Sequence, residues 1–329
     1  MAMIPNLLQP HHTFDAKNIL TDFHRKLPSD KRYTETKVLH YTPKAPISQD
    51  PNRRDNIEFR IGPDKKGGVI MLQDMVAVVD LLLQKKNGES VTPLIALSVV
   101  NNVVNSLFEE IIIEINGAKI NKQCSSHHPY KSYVSRLLTF DDEVKQTQQQ
   151  MGWLSDVAGL FDNTAKNKNE GFIQRATWFC EAPEEGVAEK WQYKERPTRF
   201  SAPIDHDMAS LATGIPPGTT IDLTITQTSD KFRILTGDSG SFSLEIKDIM
   251  LLIPTRTLAP DIFRDLQISM RKEPAFLSFR QMTVDQYICQ KNLTLFRQSD
   301  LFKTVPTKVI VGIVRQDAFA GSTKLNPFK

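Results

Sequence analysis

The sequence has little cysteine, no long apolar run and almost no excess charge of either sign. Its three cysteines, Cys124, Cys180 and Cys289, are odd in number and widely spaced, which excludes a secreted disulfide framework and a zinc module. No apolar stretch approaches the ~18 residues of a membrane-spanning helix, and the N-terminus lacks a secretory signal. The 41 basic and 38 acidic side chains leave a formal charge of +3, too balanced for a dedicated nucleic-acid binder. These absences predict a soluble, intracellular protein.

The length and composition are those of a globular protein. The 329 residues are 40% hydrophobic and 24% charged, and they amount to about two domains of ~150 residues or one large β domain. Six prolines punctuate the start of the chain and interrupt both helix and sheet pairing. Residues 1–50 are therefore predicted to be an arm that lies along another surface, with a partly disordered terminus as the alternative. The six are Pro5, Pro10, Pro28, Pro43, Pro46 and Pro51.

Strand patterns dominate from residue 55 onward. Ile57, Phe59 and Ile61 alternate with charged residues, the period-two pattern of a strand with one buried face. The run 75–83 is too apolar for a half-exposed strand and predicts a position between two packed layers. Asn116-Gly117 suits the tight turn of a hairpin, because both residues tolerate positive φ. Further strands are predicted at 172–179, 199–204, 220–226 and 242–253.

Two helices are predicted, and the architecture is all-β. A helix over 129–140 carries one apolar stripe, and a second helix opens at Pro260. The many strands, the turns and the lack of a βα rhythm favour a sandwich or barrel, such as a jelly roll. The first stripe is Tyr130, Tyr133, Val134, Leu137 and Leu138, and the second is Ile262, Phe263, Leu266 and Met270.

Reactive groups do not converge anywhere in the sequence. Cys124, His127 and His128 resemble half a metal site, but a closed zinc site needs four ligands. Glu109 and Glu110 are adjacent on a strand, so they point to opposite faces and cannot share a substrate. No phosphate-binding loop and no Gly-x-Ser-x-Gly nucleophile motif occurs. The sequence therefore predicts no enzyme activity, no cofactor and no metal.

One cluster of basic and aromatic residues supports a different class of function. Such a cluster could hold a phosphate backbone and stack a base, with salt-dependent binding of single-stranded nucleic acid. A nucleic-acid- or carbohydrate-binding β-sandwich is thus an alternative hypothesis. The cluster is Lys190, Trp191, Tyr193, Lys194 and Arg196.

Four sequence blocks resemble those of a known family. Residues 100–120, Val-Asn-Asn-Val-Val-Asn-Ser-Leu-Phe through Asn-Gly-Ala-Lys-Ile, are similar to a block of the capsid proteins of Polinton/Maverick elements and adintovirus-like viruses. Residues 129–138, 152–159 and 306–328 resemble three further blocks of that family, in the same order. The residues that carry the resemblance are Asn101, Asn102, Ser106, Leu107, Phe108, Asn116, Gly117, Tyr130, Tyr133, Leu137, Leu138, Trp153, Asp156, Gly159, Asp317, Phe319, Asn326, Pro327 and Phe328.

The resemblance implies a double jelly-roll major capsid protein. It implies a first jelly roll over 51–258, a linking helix over 259–273 and the first strands of a second, incomplete jelly roll over 274–329. Those strands are predicted at 283–290, 292–296 and 308–314. The implied function is structural: homotrimers with a pseudo-hexagonal outline that tile an icosahedral shell. The arm and the loop 141–171 would meet neighbouring subunits.

The same resemblance sets expectations for partners and location. The partners would be other copies of the chain and minor capsid proteins, with no membrane span and no specific nucleic acid. The location would be the virion capsid, and the host cell before assembly. In the family the chain continues past the Asn-Pro-Phe block, whereas this sequence stops at Lys329. A truncated second roll is therefore expected, and a minor or vertex capsid protein or a domesticated relative remains an alternative.

Overall fold

The computed structural model describes residues 32–48, 50, 53–62, 67–91, 96–120, 127–139, 151–164, 168–181, 193–211, 213–238, 240–289 and 305–329. Within them the chain forms the strands β1 (Tyr33–Tyr41), β2 (Ile57–Ile61), β3 (Gly68–Ile70), β4 (Val76–Lys85), β5 (Leu97–Val99), β6 (Phe108–Ile115), β7 (Ala118–Lys119), β8 (Thr198–Pro203), β9 (Ile221–Gln227), β10 (Ile234–Thr236) and β11 (Phe242–Leu258). The helices are α1 (Val103–Ser106), α2 (His128–Thr139), α3 (Glu170–Thr177), α4 (Asp230–Arg233), α5 (Pro260–Lys272) and α6 (Gln316–Phe319).

The strands pair in a nested order. One sheet has the order β1-β11-β4-β8, with β3 also on β11, and the other has the order β2-β9-β6-β7. Counted along the chain, the first of these eight principal strands pairs with the eighth, the second with the seventh, the third with the sixth and the fourth with the fifth. All four pairings are antiparallel. Two sheets joined in this way are a jelly roll. The all-β prediction is confirmed.

One hydrophobic core lies between the two sheets. Ile57, Phe59 and Ile61 of β2 are buried as the alternation predicts, and so are Ala77 and Val79 of β4. The prediction that the apolar run 75–83 is covered on both faces is wrong. Every second residue of β4 between Val76 and Leu82 is only partly buried, because a strand of a two-layer sandwich has a partner layer on one face only.

Two segments differ from their sequence predictions. The predicted strand over 172–179 is instead the helix α3, which Asn169 caps by accepting a hydrogen bond from the backbone N–H of Phe172 at 3.4 Å. Phe172 and Ala176 are buried one turn apart on this helix. In addition, residues 33–41 of the predicted arm form β1, and Tyr33 pairs with Leu258 at the end of β11.

Both predicted helices are present, but the residues that they bury differ in part from the predicted apolar stripes. In α2 the side chains of Leu137 and Leu138 are 42% and 57% exposed, so the predicted apolar stripe is wrong for these two. The inner face of α2 carries Ser132 and Arg136 instead. Helix α5 begins at Pro260 as predicted and packs Phe263 and Leu266 against a small cluster of Val69, Met71 and Leu258. The other two residues of its predicted stripe, Ile262 and Met270, are 36% and 39% exposed, so the stripe is wrong for these two. No helix within the described residues is long and apolar enough to cross a membrane.

The strands predicted beyond residue 274 are not formed in the described residues. Residues 274–289 and 305–315 contain no strand, and the predicted strand at 292–296 lies outside the described residues. A strand needs a hydrogen-bonded neighbour. Leu277 and Phe279 pack against the core of the jelly roll. In contrast, Val305, Val311 and Ile313 are 96%, 85% and 93% exposed.

Candidate functional site: a junction that holds the C-terminal segment

Residues from all four sequence blocks meet at one place in the structure. We call it the tail junction. It consists of a polar network on Asn101, Asp156, Arg175 and Asn326, together with an aromatic cluster around Phe328. It holds the C-terminal segment, residues 316–329, against the jelly roll.

Asn101 connects the first block to the third. Its Oδ1 accepts hydrogen bonds from the backbone N–H groups of Asn102 at 2.7 Å and Leu154 at 2.6 Å. Its carbonyl accepts from Ser106 Oγ at 3.0 Å, and the carbonyl of Ser106 accepts from Thr228 Oγ1 at 2.7 Å. Asn102 has φ +55° before α1, a left-handed conformation that asparagine tolerates better than most residues. The asparagines thus shape a buried turn.

Asn102 also connects the first block to the second. Its Nδ2 donates to Ser132 Oγ of α2 at 2.8 Å. Ser132 Oγ in turn donates to Asp205, which also accepts from Arg136 Nε at 2.8 Å. A further Arg136 donor reaches the carbonyl of Pro203 at 2.8 Å. The inner face of α2 is therefore fixed by hydrogen bonds as well as by apolar packing.

Asp156 of the third block is the hub of the polar network. Its Oδ1 accepts from Arg175 Nη2 at 2.6 Å and from Asn169 Nδ2 at 2.9 Å. Arg175 also donates to the carbonyls of Val99 at 2.8 Å and Leu154 at 2.5 Å. The side chains of Arg175 and Asp156 are 0% and 1% exposed. A buried charge of this kind is tolerated because it is paired and its hydrogen bonds are made.

Asn326 of the fourth block completes this network. Its Nδ2 donates to Asp156 Oδ2 at 2.9 Å and to the carbonyl of Phe161 at 3.3 Å. Its backbone N–H donates to Asp162 Oδ1 at 2.8 Å, and its Oδ1 accepts from the N–H of Phe328 at 3.0 Å. The side chain is fully buried. Both carboxylate oxygens of Asp156 are thus used, one by the body and one by the C-terminal segment.

Phe328 enters an aromatic cluster beside the polar network. Its ring stacks on Tyr133 with centroids 4.2 Å apart, and it meets the rings of Tyr130 and Phe232 edge-on at 5.7 and 5.8 Å. Phe319 stacks on Tyr130 at 5.4 Å. Such ring pairs add stabilisation beyond the area they bury. Burial raises the pKa of the Tyr133 hydroxyl to about 12.

Most of the remaining residues of the resemblance lie outside the tail junction. Asn116 and Gly117 form the positive-φ turn between β6 and β7. Leu107 and Phe108 belong to the jelly-roll core, Gly159 makes a positive-φ turn, and exposed Asp317 pairs with Arg315. Trp153 and Pro327 lie buried in the junction, and Leu137 and Leu138 face outward. Sequence reasoning missed Arg175, Asn169 and Phe232.

Two of the three residues that resemble half a metal site in the sequence, His127 and His128, lie within the described residues, and both make structural contacts. His127 packs against the ring of Phe319 at 5.0 Å, and His128 Nε2 lies 3.2 Å from Asn105 Oδ1. Burial lowers the pKa of His128 to about 3. Cys124 lies outside the described residues, and no group of three or more ligating side chains occurs among those described.

The hypothesis that the basic and aromatic cluster stacks a nucleic-acid base is wrong for Tyr193. The ring is buried in the core, and its hydroxyl donates to the carbonyl of Leu97 at 2.8 Å. Lys194 Nζ donates to the carbonyl of Trp178 at 2.9 Å. Trp191 and Lys190 lie outside the described residues. A buried, hydrogen-bonded tyrosine cannot stack on a base.

No family model matches the chain, and no curated protein matches it. Solved structures match at low identity. A capsid chain of the virus PBCV-1 is 10% identical over 73% of this chain and 46% of that one, with a TM-score of 0.42. A chain of the Sputnik virophage is 11% identical over 79% and 54%, with a TM-score of 0.44. The mavirus major capsid protein is 13% identical over 79% and 54%, with a TM-score of 0.39.

The chain spans about half the length of these matched structures. The strand order of its own two sheets makes the chain a jelly roll.

Proposed function

We propose that the chain is a structural capsid protein of the Polinton/Maverick double jelly-roll kind, which works by assembling with copies of itself. One observation carries the proposal. Four blocks that resemble this capsid family are spread over more than two hundred residues, and residues of all four meet in the tail junction of a jelly roll. If the similarities had arisen by chance, residues of separate blocks would not be expected to contact one another in the folded chain. A jelly roll by itself does not define a function.

The domain arrangement is part of the proposal. Residues 51–258, joined by β1, would form the first jelly roll and 259–273 the linking helix. Residues 274–329, whose described part forms no strand in the single chain, would supply the first strands of a second roll when another chain pairs with them. The exposure of Val305, Val311 and Ile313 supports this arrangement. β-branched residues suit strands, and an exposed apolar segment of this kind is prone to pair with another chain.

Assembly would use the surfaces that the isolated chain leaves uncovered. Burial of apolar area contributes roughly 25 cal/mol per Å², and closed symmetry sets the geometry. We propose homotrimers with a pseudo-hexagonal outline in an icosahedral shell, in contact with minor capsid proteins. The protein would reside in the virion, and in the host cell before assembly.

Light scattering after size exclusion, with negative-stain imaging, tests the proposal on the full chain. Trimers and curved or closed shells are expected at high concentration. The double variant Val311→Lys, Ile313→Lys should weaken assembly, because it charges the exposed segment. Leu138→Lys, on the outer face of α2, serves as the matched control and should assemble normally. A chain that stays strictly monomeric would contradict the proposal, and rings of five would indicate a vertex protein instead.

A further inference from the structure

The tail junction has the features of a peptide-binding site. We propose that it recognises an Asn-Pro-Phe segment, and that a second copy of this chain can supply that segment in place of the chain's own residues 326–328. The claim that a second copy supplies the segment rests on the proposed self-assembly. The claim that the junction binds an Asn-Pro-Phe segment does not.

Each residue of the segment is recognised by different chemistry. The amide of Asn326 donates to the Asp156 carboxylate at 2.9 Å, so an aspartate at this position would place two carboxylates face to face. Pro327 is buried, and its fixed φ lowers the entropy lost on ordering. Phe328 fills the space between Tyr133 and Phe232. Polar readout of one residue beside an aromatic anchor is typical of selective peptide recognition.

The walls of the site belong to the body of the jelly roll. Asp156 and Asp162 lie in the loop after Trp153, Tyr133 lies on α2, and Phe232 lies on α4. None of these residues comes from the C-terminal segment. The pocket is therefore built by parts of the chain that the segment does not include.

The segment is joined to the body through an exposed tether. Residues 305–315 carry the highly exposed Val305, Val311 and Ile313, whereas the segment itself makes buried contacts and also accepts a hydrogen bond at the Thr323 carbonyl from the Thr236 N–H at 2.7 Å. The segment is thus held near its start by Phe319, which stacks on Tyr130, and again at residues 326–328. An element held in this way can be exchanged between identical copies with every contact preserved.

Fluorescence anisotropy with a labelled peptide tests the site on the full chain. The probe is the peptide Ala-Gly-Ser-Thr-Lys-Leu-Asn-Pro-Phe-Lys, the sequence of residues 320–329, and the protein is the variant Phe328→Ala, whose own anchor is missing. We expect saturable binding to this variant and at least tenfold weaker binding to the wild type, because the tethered segment competes at a high effective concentration. Phe276→Ala removes an exposed phenylalanine and should behave like the wild type.

Two control peptides test the chemistry of recognition. Replacing the phenylalanine by alanine, or the asparagine by aspartate, should each weaken binding at least tenfold. If Phe328→Ala does not fold by circular dichroism, Phe328→Leu takes its place. Absence of saturable binding to a folded variant, or equal binding of the control peptides, would overturn the proposal.

A second measurement tests whether another copy of the chain supplies the segment. Labelled wild-type chain mixed with labelled Phe328→Ala chain should form a complex that excess unlabelled peptide dissolves. Peptide binding without any such complex overturns the supply by a second copy. These results do not depend on whether shells form, so failure here and failure of capsid assembly are distinguishable.

Discussion

Replacing Asp156 by asparagine should destabilise the chain by about 3–5 kcal/mol, the cost of removing one partner of a buried ion pair. The Arg175 guanidinium would remain fully buried without its counter-charge. Three donors, from Arg175, Asn169 and Asn326, approach the carboxylate oxygens at 2.6–2.9 Å. An asparagine offers only one oxygen and places an NH₂ group against these donors.

Urea unfolding followed by tryptophan fluorescence measures this effect, since Trp153 packs 5.2 Å from Tyr133 in the junction. Asp80→Asn is the matched control. Asp80 is 19% exposed and pairs with Arg199, which is 68% exposed, so water can solvate the guanidinium that loses its partner and the cost should be smaller than for the fully buried pair. The double variant Asp156→Asn, Arg175→Met should recover part of the loss, because removing both partners leaves no unpaired charge. If Asp156→Asn unfolds within about 1 kcal/mol of the control, the reasoning is refuted.

Three further predictions concern other parts of the fold. Tyr193→Phe should cost about 1–3 kcal/mol in urea unfolding, because it leaves the buried carbonyl of Leu97 without its hydroxyl donor. An unfolding midpoint equal to that of the wild type would contradict this prediction. Burial lowers the pKa of His128 to about 3 and of His206 to about 4, from 6.5. Below pH 6.5 the unfolded chain binds protons at these histidines that the folded chain does not bind. The free energy of unfolding should therefore fall as the pH drops from 6.5 to 4, by about 1.4 kcal/mol per pH unit for each histidine. A urea unfolding midpoint independent of pH over this range would contradict this prediction. Gly117→Ala, at φ +80°, should cost about 1–2 kcal/mol and lower the thermal midpoint, and an unchanged midpoint would argue against the positive-φ turn.

Local signals in the sequence predicted the parts of the fold that local physics decides. The alternation in β2 and the Asn-Gly turn after β6 depend on neighbouring residues, and both are present in the structure. The same holds for Pro260, which begins α5. These elements need no knowledge of what lies across the core.

Other parts depend on distant residues and could not be predicted. Helix α3 occupies most of the segment predicted as a strand over 172–179. In the structure Arg175 points inward to Asp156, a partner nineteen residues away that no local pattern reveals. In the same way, Leu137 and Leu138 fit an apolar stripe, but polar partners on the jelly roll turn α2 so that Ser132 and Arg136 face inward.

The site was predicted in its parts and not as a whole. The blocks resembling capsid proteins supplied Asn101, Asp156, Asn326 and Phe328, but they gave no indication that these residues touch. Their contact is a property of the folded chain. Arg175, which neutralises the hub of the network, lies outside every block and carried no sequence signal.

The nested strand pairing has a consequence for how the chain is made. β1 begins at Tyr33, yet its partner β11 ends at Leu258, so the outermost ladder joins residues on opposite ends of a very long loop. Closing such loops is entropically costly, and folds rich in distant pairings form slowly. At synthesis rates of about 5–20 residues per second, β1 would wait on the order of 10–45 s for its neighbour to leave the ribosome. During that interval the backbone N–H and C=O groups of β1 that pair with β11 are free. They are then available to pair with another newly made copy on the same messenger RNA.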